Sequence, residues 1–356
     1  MVSNKNYFRV CKFGGTSLAT PLGFCLVKNI VLAGEDRDFI VASAQGKRFV
    51  TDIKVTDLLI LLFNYYRKGE NIDKLFSEIK IRHLYIRDSL QIDIDIEEEF
   101  KIIKNNLELG KEYLISRGEY LNAKLLAKYL NYNFFDAKDF YIFSNGKINL
   151  EKTKPNLKGL PQKSVIGGFY GSDEKTEKIE LFSRGGGDIS GAILALAKNA
   201  LYENFTDTNG VLSADPKFVK NTVNIKELTY DNLATMSQLG AGVIHKSVSK
   251  ILKNSNITLN VLNTFSANDT GTLVYDNAIK CYKNRLAVAI KNNIVSVIYN
   301  VDTDLVSELT RLILDIKKED INIKKVSINF KKCYIKFETK SSQVVKLANL
   351  LHKKTT

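Results

Sequence analysis

Cysteine and histidine are scarce in this chain, and neither is clustered. The four cysteines, Cys11, Cys25, Cys281 and Cys333, are scattered without CxxC spacing, so neither a zinc site nor a disulfide framework is indicated. With three histidines and no His/Cys cluster, no structural metal is expected. No apolar run approaches the roughly 18 residues that span a bilayer. A few polar residues lead straight into a first strand, without the pattern of a signal peptide. These absences predict a soluble, reducing, cytoplasmic setting with no membrane partner. Two common nucleotide motifs are missing as well. There is no GxxxxGKS/T, and no GxGxxG follows the first strand.

Charge is plentiful but unfocused. The formal net charge of +13 raises nucleic-acid binding. Yet the lysines are spread along the whole chain among Asp, Glu and Asn, and no compact basic run is interleaved with aromatics. No nucleic-acid partner is therefore expected, and the positive excess is compatible with attraction of anionic substrates. A length of 356 residues suggests two or three domains with a large core.

Two glycine-rich segments organise what is present. Lys12-Phe13-Gly14-Gly15-Thr16-Ser17 follows the apolar run Tyr7-Phe8-Arg9-Val10-Cys11. Ser183-Arg184-Gly185-Gly186-Gly187-Asp188 opens an Ala- and Leu-rich helical stretch over residues 189–198. Both read as strand, tight turn, helix. Such a turn brings backbone N–H groups close to an anion, and the helix N-terminus adds positive potential. Lys12 supplies a mobile cation, Arg184 a planar fork for a carboxylate or phosphate, and Asp188 a carboxylate at the helix start. Either segment alone reads equally as an ordinary turn. Together they are parts for moving a phosphoryl group between a nucleotide and a carboxylate-bearing substrate.

The rest alternates strand and helix. A strand over 7–13 precedes a helix over 22–33 and a buried-type strand over 39–42. Ligands of open α/β sheets sit at the carboxyl ends of strands, so Ser43 and the basic pair Lys47-Arg48 face a ligand or form a solvated loop. Helices follow over 55–68 and across 71–110, where the acidic cluster of residues 93–99 reads as a helix start rather than a metal site. Ser116-Arg117-Gly118-Glu119 opens a helix to about residue 130. Glu119, in its first turn, is either a complement to the helix dipole or a carboxylate for a substrate ammonium. Short strands are expected over 134–136 and 140–143, a polar hairpin or insertion over 145–163, a strand and glycine turn over 164–171, and a strand over 179–182. After a strand over 201–205, Thr206-Asp207 and Asp215-Pro216-Lys217 are placed to frame a base and its phosphates. A helix over 230–238 leads to His245, which has no nucleophile partner and reads as structural. From about residue 278 the order becomes β, β, α, β, β, α, a small α+β unit.

At these segments the chain resembles the aspartate kinases of the amino acid kinase family. Lys12–Ser17 is similar to the family's N-terminal signature, and residues 183–188 to its RGGSD segment. Residues 206–217 resemble its TDxxGxxxxDPR segment, 239–245 its LGAxVLH segment, and 116–119 its RGE segment. The resemblance covers about residues 7–275. It implies an α/β fold, an αβα sandwich with a mostly parallel sheet over residues 1–276, followed by a single ACT-like (ferredoxin-like) α+β domain over 277–356. It implies transfer of the ATP γ-phosphoryl group to the β-carboxylate of L-aspartate, a step of lysine and threonine biosynthesis. Carried over, Lys12 stabilises the transferring charge and Asp188 orients Lys12. Ser43, Glu119 and Arg184 hold aspartate. Gly14, Gly15, Thr16 and Ser17 line the phosphate path, with Gly185, Gly186, Thr206, Asp207 and Lys217 on the nucleotide side. Mg²⁺ arrives with ATP, held by phosphates and water rather than by protein ligands, and the tail implies a homodimer.

Several positions depart from that pattern. Gly187 stands where the family usually has Ser, Leu212 where Tyr is common, and Lys217 where Arg is common. The family usually carries two ACT units, and the turn Glu319-Asp320-Ile321 lacks a glycine found at many effector sites, which leads us to expect weakened feedback by lysine or threonine. Two alternatives stay open: a kinase for another acidic amino acid, and a regulatory paralogue that binds without turnover.

Overall fold

The computed structural model describes residues 8–34, 36–183, 185–242, 244–266, 269–276 and 285–353. The chain packs as two compact units, Met1–Asp207 with Leu262–Asn268, and Thr208–Val261 with Asp269–Thr356. Among the described residues no helix is long and apolar enough to cross a membrane.

The first unit runs β1 (Arg9–Phe13), α1 (Pro21–Leu32), β2 (Phe39–Ala42), α2 (Val55–Arg67), α3 (Asp73–Ser89), α4 (Ile96–Asn105) and α5 (Lys111–Leu130). It continues through β3 (Asn133–Phe135), β4 (Ile142–Ser144), β5 (Lys147–Ile148), α6 (Leu150–Lys158), β6 (Ser164–Gly167), β7 (Tyr170–Asp173), β8 (Ile179–Leu181), α7 (Gly186–Lys198) and β9 (Leu201–Thr206). Five strands pair in parallel in the order β9-β1-β2-β6-β3. All four residues of β2 and of β6 are buried, as expected for strands covered on both faces. A four-stranded sheet, β5-β4-β7-β8, stands apart from them.

Three expectations shift here. The helix expected from Ser116 begins at Lys111, after Gly110 with φ 105. Gly110 is the break, and Gly118 is a packing glycine: a Cβ there would lie 2.9 Å from Ala44 Cβ and 3.1 Å from Leu59 Cδ1. Glu119 thus sits mid-helix, which removes the helix-dipole explanation for it. The polar hairpin or insertion over 145–163 is a short hairpin followed by α6, started by the Asn149 side chain accepting from the Lys152 N–H. Helix α7 starts at Gly186 rather than near residue 189, so Gly186, Gly187 and Asp188 form its first turn. The acidic cluster does begin a helix: Asp95 caps α4 through the Glu98 N–H.

The second unit holds β10 (Val211–Leu212), β11 (Asn224–Ile225), β12 (Glu227–Thr229), α8 (Tyr230–Leu239), α9 (Lys246–Leu252), β13 (Leu259–Asn263, its last two residues in the first unit) and β14 (Thr272–Tyr275). Strand β14 pairs parallel with β12 and antiparallel with β13. His245 caps α9, its Nδ1 accepting from the Ser247 N–H at 3.3 Å, a structural role. The tail then runs β15 (Arg285–Lys291), β16 (Ile294–Tyr299), α10 (Leu305–Lys318), β17 (Ile323–Asn329), β18 (Tyr334–Thr339) and α11 (Val344–His352), an ACT-like antiparallel sheet in the order β15-β16-β18-β17. Ala214 and Val219, from the loop after β10, join the apolar core of this tail, and Ser213 Oγ meets His352 Nε2 at 2.7 Å. Packing therefore groups residues 208–261 with the tail, whereas the boundary expected after residue 276 adjoins residues 277–284, outside the described set. At the glycine-free turn, Asp320 takes φ 50, a left-handed conformation that Asp tolerates better than most residues.

A buried ion cluster ties the central strands of the first unit. Glu203 on β9 is 1% exposed. It accepts from Arg9 Nη1 and Arg37 Nε, each at 2.7 Å, and from the Cys11 thiol at 3.3 Å. Burial alone raises the Glu203 carboxyl, but the hydrogen bonds and charge of Arg37 and Arg9 hold it below its ordinary value. Removing one partner of such a buried cluster strands the others. Glu203→Ala is expected to cost about 3–5 kcal/mol, measured as a lower midpoint of denaturant unfolding with an unchanged slope.

Candidate active site

The site begins where backbones meet. Gly14 N–H donates to the Phe205 carbonyl at 3.0 Å, tying the loop after β1 to β9. A Cβ on Gly15 would stand 2.9 Å from the Ala44 carbonyl oxygen. A Cβ on Gly46 would stand 2.5 Å from Gly15 C and 2.6 Å from Thr16 N. Gly46 N–H donates to Gly15 O at 2.8 Å. The loops after β1 and β2 therefore lie backbone to backbone, at a distance no side chain permits. Thr16 is exposed, but Ser17 is fully buried and its hydroxyl meets Thr264 Oγ1 at 2.7 Å. Ser17 therefore anchors the loop and faces the interior.

Lys12 leaves the end of β1 with 9% exposure. Its Nζ lies 2.8 Å from Asp188 Oδ1, in the first turn of α7. This ion pair joins the two glycine segments. A Cβ on Gly187 would meet Ser43 Oγ at 3.2 Å and Lys12 Cε at 3.4 Å, so Ser43, Lys12, Asp188 and Gly187 converge on one corner. Arg184 lies outside the described residues. Gly185 caps the start of α7 from the left-handed region, φ 66. Gly186 is wedged between rings: its Cβ would lie 2.5 Å from Phe169 Cδ2 and 2.8 Å from Phe182 Cβ.

Helix α5 closes another side. Asn122 donates through Nδ2 to the Ser43 carbonyl at 2.7 Å. Glu119, one turn earlier, is buried against Ala44, whose backbone N–H favours its anion. Burial dominates and pushes the Glu119 carboxyl up to about 8, so it is protonated at neutral pH. Glu119 Oε2, Asn122 Oδ1 and both amide atoms of Gln45 are buried without a hydrogen-bond partner. Unsatisfied buried polar atoms are costly and uncommon, and such a set in one loop and the helix on it can receive a polar ligand.

The remaining expected residues make local contacts. Thr206 ends β9, its hydroxyl on Asp207 Oδ1 at 3.2 Å. Lys217 belongs to the second unit, where its backbone N–H donates to Asp215 Oδ1 at 2.9 Å. Of the basic pair after β2, Lys47 is exposed. Arg48 is turned onto Asp52, through Nε at 2.8 Å and Nη2 at 3.0 Å, and there secures the loop with Arg82. Among the described residues no group of three or more His, Cys, Asp or Glu gathers to hold a metal. Gln45, Asn122 and Asn204 were not expected. Asn122 was within reach, being three residues after Glu119 on one helix face.

The first turn of α7 allows a direct test. Gly186→Ala drives its Cβ into rings and backbone and is expected to destabilise by about 1–3 kcal/mol. Gly187→Ala meets only the movable ends of two side chains and should be neutral or stabilising by up to about 1 kcal/mol. Thermal unfolding of the pair checks this, and equal losses would contradict it.

Residues 8–263 match the model of the amino acid kinase family. The chain is 33% identical over 288 residues to aspartokinase 3 of Bacillus subtilis, which covers 75% of this chain and 63% of that protein. It is 26% identical over 326 residues to chloroplastic aspartokinase 1 of Arabidopsis thaliana, covering 82% and 56%. It therefore spans less than two thirds of either relative. Among solved structures, the aspartate kinase of Clostridium acetobutylicum superposes with a TM-score of 0.87 at 27% identity, over 98% of this chain and 100% of that one. An E. coli aspartokinase III, solved with aspartate and ADP, shares the fold with a TM-score of 0.72 at 22% identity, over 96% and 84%. The two glycine loops, bridged by Lys12 and Asp188, both fall inside the matched segment, and the chain belongs to the amino acid kinase family.

Proposed function

We propose that this chain transfers the γ-phosphoryl group of MgATP to the β-carboxylate of L-aspartate, giving 4-phospho-L-aspartate and ADP. The observation that carries the proposal is the Lys12–Asp188 pair beside Ser43, with the buried Glu119 carboxyl, its Oε2 unsatisfied, on the helix that holds the Ser43 loop. The similarity to aspartokinases supports the choice of substrate.

The chemistry asks little proton transfer of the protein. An aspartate β-carboxylate is already ionised at pH 7. Its oxygen attacks the γ-phosphorus while the bond to the β–γ bridging oxygen breaks and ADP leaves. Catalysis is then positioning and charge stabilisation. Lys12 is the cation for the transferring phosphoryl, and Asp188 fixes its direction. Gly14, Gly15 and Thr16 offer a loop without bulk to the phosphates, with Ser17 anchoring it. Ser43 and Glu119 hold aspartate, Glu119 through the ammonium. Arg184 takes the α-carboxylate, and Gly185, Thr206, Asp207 and Lys217 serve the nucleotide. Residues 1–276 act as the catalytic region and 277–356 as an ACT-like module through which two copies associate, in the cytoplasm.

Acyl phosphate trapped with hydroxylamine tests the reaction. Hydroxamate should form with MgATP and aspartate, and not with N-acetylglutamate, which has no ammonium for Glu119. Turnover of N-acetylglutamate alone would reassign the substrate. Folded protein that binds nucleotide but turns over neither acid would favour a binding paralogue.

Glu119 predicts a pH dependence. Its folded-state value, about 8, lies above the ordinary 4.5. Between these values the unfolded chain binds fewer protons than the folded one, so the ligand-free protein loses stability as pH rises through that window, by about 1.4 kcal/mol per pH unit at most. Glu119→Gln should abolish that loss. An incoming ammonium favours the anion, so aspartate should bind more tightly from pH 6 to pH 8 and release close to one proton at pH 7. Calorimetry in buffers of different ionisation enthalpy reads this directly.

A further inference from the structure

Asn204 lies on β9 opposite Lys12 in the parallel register of β1 and β9. It is 1% exposed. Residues on a strand alternate faces. Glu203 turns into the Arg9 and Arg37 cluster, while Tyr202 and Asn204 share the opposite face, against α7. The two amide hydrogens of Asn204 have different acceptors. One goes to Asp188 Oδ1 at 3.0 Å, the oxygen that also takes Lys12 Nζ at 2.8 Å, and the other to the Tyr202 hydroxyl oxygen at 3.2 Å. That hydroxyl in turn donates to the backbone carbonyl of Asp188 at 3.0 Å. The donors and acceptors are thus consistent with one amide orientation only. Tyr202 reaches this position because Gly191, one turn along α7, has no side chain: a Cβ there would lie 2.5 Å from the tyrosine oxygen.

Asn204 Oδ1 is buried without a partner. An apolar residue of the same size would fill the position without leaving an unsatisfied carbonyl. Packing therefore does not account for an amide here, whereas a requirement on Asp188 does. A carboxylate bound only by a flexible lysine can rotate with it. A second donor on the same oxygen, and a third group on its backbone carbonyl, hold both the carboxylate and the turn that carries it.

We propose that Asn204, with Tyr202, is a positioning residue for phosphoryl transfer, clamping Asp188 so that the Lys12 ammonium is presented in one direction. This rests on the reaction proposed above. It also explains how a chain with Gly187 at the converging corner keeps Asp188 in place: the support comes from beneath, from β9, rather than from a side chain at 187.

The discriminating variant is Asn204→Asp, which keeps shape and turns donors into acceptors. With aspartate and MgATP it should lower kcat about tenfold to a hundredfold, as for loss of a hydrogen bond to a charged group, with both KM values nearly unchanged, the pattern of an interaction felt in the transition state. Asn204→Leu should act alike, and Tyr202→Phe more mildly. Parental kcat in folded Asn204→Asp and Asn204→Leu proteins would overturn the clamp. If the parent itself fails to turn over aspartate, the reaction is wrong, and a crystal structure of Asn204→Asp decides the clamp separately. A Lys12–Asp188 pair left in place overturns it, and a pair pulled apart supports it.

Discussion

The ion pair between Lys12 and Asp188 is the geometric requirement that the strands and helices of the first unit meet together. It forms between groups that are largely removed from water, where the Coulombic gain barely offsets desolvation. Such a pair is a poor source of stability. It persists because Asp188 is also held by Asn204, and because the strand and helix that deliver the two charges are fixed independently of them. Lys12 comes at the end of β1, whose register with β9 and β2 is set by parallel hydrogen bonding along buried residues. Asp188 comes in the first turn of α7, positioned by the contact of Tyr202 with Gly191.

Glycine in this site acts mainly through closeness. Gly15, Gly46, Gly118 and Gly186 all have ordinary backbone angles, with none among the positive-φ positions. Each stands where another backbone or side chain comes within about 3 Å of a missing Cβ. Helix α5 can therefore lie on the loop after β2, and that loop on the loop after β1. The polar atoms of Glu119, Asn122 and Ser43 are brought together by three absences of a methyl group. A motif that reads as a tight anion-binding turn is physically a stack of backbones, and rigidity is what a transferring phosphoryl group needs around it.

Much of this was legible because it is local. The Lys12 and Asp188 segments, the strand and helix alternation, and the ββαββα tail each announce themselves by short-range pattern. What escaped depends on distant partners. Gly118 looked like a helix start because glycine usually interrupts, and only Ala44 and Leu59 reveal it as a packing position inside α5. Asn204 is one polar residue in an apolar strand until the register sets it beside Lys12. Ala214 and Val219 look like loop residues until the tail's core claims them, so the compact units divide where no change of composition marks a boundary.

Charge balance links these features to substrate choice. The corner formed by Lys12 and Asp188 is neutral as a pair, and Glu119 is neutral by protonation. A ligand with two carboxylates and one ammonium brings a net negative charge to it. Ionising Glu119 to meet the ammonium adds another, and the cations of the loops must compensate. In the reaction proposed here, an acid without the ammonium would leave Glu119 protonated and Oε2 unsatisfied, so the pocket would discriminate by withholding a partner as much as by offering one. On that reading selectivity would follow from burial: in water Glu119 would be ionised whatever the ligand, and its charge would distinguish little.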